Sequence, residues 1–205
     1  MQNQESQNHS KTGKPQLVVI SAPSGAGKTT ICKILAERNP DFRISISATT
    51  RPPRKTETDG VDYFFISEEE FLKRVEAGEF LEYENVHGHY YGTLRKNVES
   101  LLKQGFTVLF DIDVNGAIKI KKQFPEAILI FIRPPSLEEL KKRLRERQTE
   151  DPQEIERRLQ RLPEEYAKAV LFDYDIVNDD LMATVAQIED IIRTHQRKEQ
   201  DHVSN

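Results

Sequence analysis

One segment constrains this chain more than any other. Ala22-Pro-Ser-Gly-Ala-Gly-Lys28-Thr29 lies between a short β-branched apolar run, Gln16–Ser21, and a stretch of helical spacing, Lys28–Arg38, with apolar residues at 31, 34 and 35. It matches Gly-x-x-x-x-Gly-Lys-[Ser/Thr] with Ala at the first position. Gly25 and Gly27 allow successive backbone N–H groups to turn inward without a Cβ clash, making a concave nest for phosphate oxygens. The helix that follows aims its positive end at the same anion. Lys28 supplies a point charge and the Thr29 hydroxyl a magnesium ligand. A strand, phosphate loop and helix in that order predict an α/β fold with a parallel sheet. The loop itself, Ala22, Pro23, Ser24, Gly25, Ala26, Gly27, Lys28, Thr29 and Thr30, is the candidate nucleotide-binding segment.

The rest of the chain agrees. Phe106–Asp111, Ala127–Ile132 and Tyr174–Asn178 repeat the buried-strand pattern, separated by charge-rich helical stretches such as Leu94–Gln104 and Leu137–Arg147. Such alternation predicts a parallel sheet with helices on both faces. The middle is different. Val61–Ile66, Phe80–Val86 and His89–Gly92 are short, aromatic-rich and divided by Gly-containing turns, which predicts a small β-rich insertion. Residues 138–165 are almost wholly charged and helical, with too little apolar surface to pack on a core, so they read as a solvated face or a flap. The first 14 residues and the last ten are polar, without periodicity, and read as tails.

Composition excludes several classes. With 205 residues and a net charge of −4, one domain is expected, and a general nucleic-acid binder is not. No apolar run reaches the ~18 residues of a membrane helix, and the amino terminus lacks the apolar core of an export signal, so a cytoplasmic protein is expected. The single cysteine, Cys32, permits neither an internal disulfide nor a cysteine-rich zinc site and reads as a buried hydrophobe. His87 and His89 have no third ligand nearby in sequence and do not read as a metal site.

Asp111 and Asp113 follow a predicted buried strand, where a metal-binding carboxylate of a phosphate-loop enzyme sits; capping of the next helix is the alternative for either one. Arg51 and Arg54 flank a Pro-Pro turn and can converge on one phosphate with bidentate geometry.

Taken in order, APSGAGKTT, SATTRPPR, GVDYFF, EFLEY, YYGT, DIDVNGA, RPPS, KKRLRER and IVNDDL resemble the guanylate kinases over residues 16–195. The resemblance implies an ATP-dependent phosphorylation of GMP to GDP, with Mg²⁺ accompanying ATP and the small molecules ATP and GMP as partners. It implies that Ser47, Glu82 and Thr93 read the guanine, with Gly92 beside them. By the same resemblance Arg51, Arg54, Tyr63 and Tyr91 hold the GMP phosphate, Asp111 lies near the guanine, and Asp113 joins Thr29 near the magnesium. The charged helical pair becomes a lid over ATP with Arg143, Arg147 and Arg158 facing the phosphates, and Asn178 lies near the adenine. Lys28, Arg51 and the three lid arginines are the catalytic candidates. The implied layout is an α/β phosphate-loop kinase core with a five-stranded, mostly parallel sheet flanked by helices (15–46, 94–137 and 166–195), a small β-rich GMP-binding insertion at about 47–93 and a helical lid at about 138–165, with polar tails at 1–14 and 196–205. Three positions depart from the family pattern: Ala22 for Gly, His89 where Asn is common, and Gln148 for a Gly after the second lid arginine.

The chemistry supports that base. Guanine presents N1–H and N2–H₂ donors beside the O6 acceptor. A carboxylate such as Glu82 accepts from both donors, and the Ser47 and Thr93 hydroxyls can donate to O6. Adenine N1 is an acceptor, which a carboxylate repels, so a related kinase for another nucleoside monophosphate is the weaker reading. A catalytically inactive interaction module of the same fold is expected to have a degraded phosphate loop, whereas Lys28 and Thr29 are intact. Glutamates interleave with the arginines of 141–161, which speaks against nucleic acid as the partner of that stretch. Monomer and homo-oligomer are both compatible with the sequence.

Overall fold

The computed structural model describes residues 14–86, 88–146 and 152–203. The chain enters through β1 (Leu17–Ser21), α1 (Lys28–Arg38) and β2 (Phe42–Ile44). It then leaves the main sheet for β3 (Ala48–Thr49), β4 (Phe64–Phe65), α2 (Glu68–Glu76), β5 (Phe80–Val86) and β6 (His89–Leu94). It returns through α3 (Arg95–Lys103), β7 (Thr107–Asp111), α4 (Val114–Gln123) and β8 (Ile128–Arg133). The pair α5 (Leu137–Glu146) and α6 (Pro152–Ala169) follows, and β9 (Tyr174–Val177) with α7 (Leu181–Val203) completes the fold.

Five strands form one sheet in the order β2-β7-β1-β8-β9, and every pairing in it is parallel. The apolar run of β1 explains its central place. Val18 and Ile20 pack with Ile31, Leu35 and Ile188 on the face covered by α1 and α7. Leu17 and Val19 pack with Val98, Ala117 and Ile120 on the face covered by α3 and α4. A strand that alternates between two cores must be apolar at every position, and β1 is buried throughout. Four of the five strands coincide with the apolar runs of the sequence. The fifth, β2, is an edge strand of three residues whose Arg43 is exposed, so it carries no comparable run.

The insertion is a four-stranded sheet, β4-β3-β6-β5, with α2 against it. Only Phe64–Phe65 of the expected strand Val61–Ile66 is extended; 61–62 form a turn. Helix α2 was not expected there. Ser67 caps it by accepting from the Glu70 N–H at 3.1 Å, and three glutamates fill its first turn. Phe71 is fully buried and stacks on Phe80 at 4.4 Å and Tyr90 at 5.3 Å.

Two expectations need correction. The charged helical pair has a small core of its own: Leu140, Leu144 and Leu162 are buried together with Ile155, Leu159 and Tyr166 packed on them. Helical spacing gathers these few apolar residues on facing sides, so a low apolar content still gives a packed interface. Residues 196–203, read as tail, continue α7. Gln196 is buried and donates to the Thr107 hydroxyl at 3.0 Å, and Arg193 binds Asp41 from the same helix, which anchors the turn beyond them. The tail reading of 1–13 falls outside the described residues.

Candidate active site

The carboxyl ends of β1 and β7, the insertion and α6 surround a cavity of about 290 Å³. The phosphate loop forms its floor. Gly25 and Gly27 take the left-handed conformation, with φ of 91° and 100°. Gly27 is the N-cap of α1, and no side chain caps that helix end. Helices α2 and α4 are capped by Ser67 and Asp113, whereas α1 and α3 have no side-chain cap; α1 differs from α3 in starting at the cavity, through Lys28 and Thr29, where an anion can meet its first N–H groups. Gly27 must also lack a side chain, because a Cβ there would sit 2.8 Å from Asn178 Nδ2. That amide donates to the Ala26 carbonyl at 2.9 Å and fastens the loop to the end of β9.

Lys28 projects from the loop to β7. Its ammonium lies 2.9 Å from Asp111 Oδ1 and donates to the Ile112 carbonyl at 3.0 Å. Burial pulls its pKa down, but Asp111, with Asp113 behind it, outweighs that effect and raises it above the ordinary value. Of its three N–H bonds, one remains for a phosphate oxygen. Asp113 accepts from the Gly116 N–H at 2.8 Å through Oδ1, so it does cap α4, while its side chain also borders the cavity. Thr29 borders the cavity as well.

The insertion supplies the opposite wall. Arg51 is held on three sides: Nε donates to the Tyr91 hydroxyl at 3.1 Å, Nη1 to the Pro52 carbonyl at 2.8 Å and Nη2 to Glu57 at 2.8 Å. Burial alone would lower its pKa; Glu57 and Tyr91 raise it. Glu57 also accepts from the Arg54 backbone N–H at 2.7 Å, and Tyr63 packs edge-on to Tyr91 at 5.9 Å. Arg51, Arg54, Tyr63 and Tyr91 therefore meet on one wall of the cavity.

Glu82 and Ser47 also line it. Glu82 is 6% exposed, and its Oε1 accepts from the buried Thr93 hydroxyl at 2.6 Å. Burial pushes the Glu82 carboxyl up to about 7; the Thr93 hydrogen bond works against the rise, and the charge of Asp113 adds to it. The Thr93 proton is thus committed to Glu82, where the sequence suggested a donor to the base. Gly92 is close-packed: a Cβ would lie 2.8 Å from Phe80 Cδ1.

Helix α6 brings Arg158, Arg161 and Glu165 to the cavity. Arg158 Nη1 donates to the Ser24 hydroxyl in the loop, and Leu140 and Leu144 of α5 rest on Gly25. Burial also lifts the Glu165 carboxyl to about 7. Arg143 lies elsewhere, paired with Glu139 at 2.9 Å, in a second cavity of about 380 Å³ with Gly25, Gly27, Thr30 and Asn178. Pro23 and Ala26 shape the loop through a backbone bond of 3.1 Å. Arg147, Gln148 and His87 fall outside the described residues. Sequence reading missed Glu57, Arg161, Glu165 and Gly116. The spacing of Arg161 one turn after Arg158 was a usable signal, and so was Glu57, three and six residues after Arg54 and Arg51; Glu165 and Gly116 meet the site only through the fold. Cys32 is buried and its thiol pKa raised by burial, as expected of a core residue.

The family model described as guanylate kinase matches residues 14–195. A guanylate kinase of Bacteroides thetaiotaomicron is 50% identical over 190 residues, covering 92% of each chain. That of Thermotoga maritima is 48% identical over 185 residues, covering 90% of this chain and 89% of its own. The crystal structure of guanylate kinase from Anaplasma phagocytophilum superposes with a TM-score of 0.75 at 34% identity, covering 90% of this chain and 87% of that one.

Proposed function

The chain belongs to the guanylate kinase family, and from that premise we propose how its cleft carries out the ATP-dependent phosphorylation of GMP to GDP. GMP occupies the insertion side. Its guanine donors face Glu82, with Ser47 beside them and Thr93 fixing the carboxylate from behind. Its phosphate lies between Arg51, Arg54, Tyr63 and Tyr91; three of the five Arg51 N–H bonds are used within the protein, which leaves two for phosphate oxygens. ATP lies over the phosphate loop, its phosphates against the uncapped end of α1 and Lys28, its base toward Asn178.

A GMP phosphate oxygen attacks the γ-phosphorus; the new O–P bond forms as the bond to the β-bridging oxygen breaks, and the electron pair leaves with ADP. The attacking oxygen is already ionised, so no general base is required. Positioning and charge neutralisation supply the rate, through Lys28, Arg51, Arg143 and Arg158. Arg147 is assigned with them by resemblance. The oxygen donors in the cavity suit Mg²⁺: Thr29 and the Asp113 oxygen left over from the α4 cap would hold it, the remaining positions going to phosphates and water. Bound there, it would offset phosphate charge. In this reading about 47–93 is the acceptor module, about 138–165 the lid, and the reaction runs in the cytoplasm.

The observation that carries the assignment is Glu82, a buried carboxylate lining the same cavity as Lys28. A coupled assay with ATP and GMP, AMP, CMP or UMP tests it. Turnover with GMP far above the other three is expected. Comparable turnover of AMP would overturn the base assignment, and a folded chain inactive with all four would favour the interaction module.

A further inference from the structure

We infer that Gly116 is a specificity-determining positioning residue: its missing side chain makes the space in which the base-reading carboxylate of Glu82 stands. The inference rests on the assignment of Glu82 to the guanine and extends it to a residue on another element.

Gly116 lies in the first turn of α4, which packs across β5. A Cβ at this position would lie 2.8 Å from Glu82 Oε2 and 3.3 Å from both Glu82 Cδ and Ile112 Cδ1. Oxygen and a methyl group do not approach to 2.8 Å, so something must move. Helix α4 is poorly placed to do so. Lys119 donates to the Tyr83 carbonyl at 2.8 Å, and Gln123 donates to the Leu81 carbonyl at 2.5 Å. Those two carbonyls flank Glu82, and residues 116, 119 and 123 share one face of the helix. Lys119 adds an ion pair to Glu84 at 2.6 Å. The helix is therefore registered on β5 on both sides of Glu82. At its start, the Gly116 N–H is held by Asp113. What gives way is the end of the Glu82 side chain, which is flexible apart from its bond to Thr93.

Elsewhere in a helix, glycine is the unfavourable choice. Its φ here is not left-handed, so alanine fits the backbone and is the better helix former. Gly116 thus carries a cost in local stability that is repaid at the substrate, the usual sign of a site constraint.

The experiment is a double-mutant cycle with Gly116→Ala, Glu82→Ala and the pair, measuring GMP and ATP kinetics and the thermal midpoint of each. For Gly116→Ala the KM for GMP is expected to rise about tenfold or more, as when a buried hydrogen-bond partner is misplaced, with the KM for ATP unchanged. Its midpoint should stay level or rise by a few degrees, about 2–4 °C. In the Glu82→Ala background, adding Gly116→Ala should change the GMP kinetics no further, because there is no carboxylate left to displace. A Gly116→Ala protein with unaltered GMP kinetics overturns the inference, as does a midpoint lowered by more than about 5 °C, or effects that add in the pair. If Glu82→Ala itself leaves the GMP kinetics intact, the base assignment falls and the inference with it. If Glu82→Ala is impaired and Gly116→Ala is not, only the inference falls.

Discussion

The Lys28 ammonium lies 2.9 Å from Asp111 Oδ1, at the point where the phosphate loop meets the end of β7. The pair joins the first element of the fold to the strand beside it. In the proposed assignment it also fixes the one cation of the loop where the transferring phosphoryl group passes. Lys28→Ala should lower kcat by about 10²–10³-fold or more, the worth of a preorganised charge contact in a site with little water. The thermal midpoint should fall as well, since the variant leaves the largely buried Asp111 and the Ile112 carbonyl without their Lys28 partner, so the melt serves to show that the variant is still folded under assay conditions. Steady-state kinetics beside a thermal melt decide this; near-normal turnover in a folded variant would refute the role.

Glu57 is expected to matter as much as the arginines it touches. It holds Arg51 Nη2 and the Arg54 backbone N–H at once, and these two contacts lower its own pKa despite burial. Glu57→Gln keeps the shape but loses the charge-assisted bonds, each worth about 1.5–3 kcal/mol where well formed. The KM for GMP should rise several-fold to about a hundredfold, with the KM for ATP within about twofold. Equal changes in both constants would show that Glu57 supports the whole fold and not the acceptor wall.

Arg158 reaches the loop from α6 and donates to Ser24, while Leu140 and Leu144 press α5 onto Gly25. In Arg158→Ala, kcat should fall by at least about tenfold, since an arginine at the phosphates acts mainly in the transition state. The KM for GMP should stay within about threefold. A kinetic analysis that finds the loss in GMP affinity instead would move Arg158 from the phosphates to the acceptor site.

How far the sequence revealed this structure follows from the range of each interaction. The phosphate loop is local: its glycines, lysine and flanking pattern lie within one short segment, and every part of it was legible. The continuous apolar runs of β1, β7 and β8 were legible because a strand covered on both faces admits nothing else. Strand β2 was not, because three residues at a sheet edge, one of them Arg43, leave no pattern. Helix α2 could have been read from Ser67 followed by Glu70, but the aromatic residues around it drew the segment toward strand. Gln196 looked like tail because its reason for burial, the Thr107 hydroxyl, lies 89 residues away. Gly116 belongs to the same class: its significance is a distance to Glu82, far away in the chain, which no spacing encodes. Glu57 is local, three and six residues after Arg54 and Arg51, but its pairing depends on how the Pro-Pro turn folds back on itself, which residue spacing alone does not show.

In the proposed assignment, Glu82 is the residue on which base choice and pH dependence meet. Its carboxyl stands near 7 against an ordinary 4.5, chiefly through burial, and Glu165 is raised to about 7 for the same reason. A carboxyl whose pKa is higher folded than unfolded binds more protons in the folded chain between the two values. Stability from both groups is therefore greatest below about 4.5 and declines as pH rises through about 7. Binding runs the other way, because only the ionised carboxylate accepts from both guanine donors. The KM for GMP should thus fall as pH rises through about 7, with the KM for ATP lacking that step. Glu82→Gln places an NH₂ donor against a guanine N–H. An unpaired buried group costs about 1–3 kcal/mol, so kcat/KM for GMP should drop by roughly ten- to several hundredfold, and discrimination against AMP should narrow. The same variant should flatten part of the decline in thermal midpoint between about pH 5 and 8, leaving the share that belongs to Glu165. GMP and ATP titrations at several pH values, with melts alongside, measure all three effects. Unchanged GMP kinetics, or equal losses for GMP and ATP, would remove Glu82 from the base.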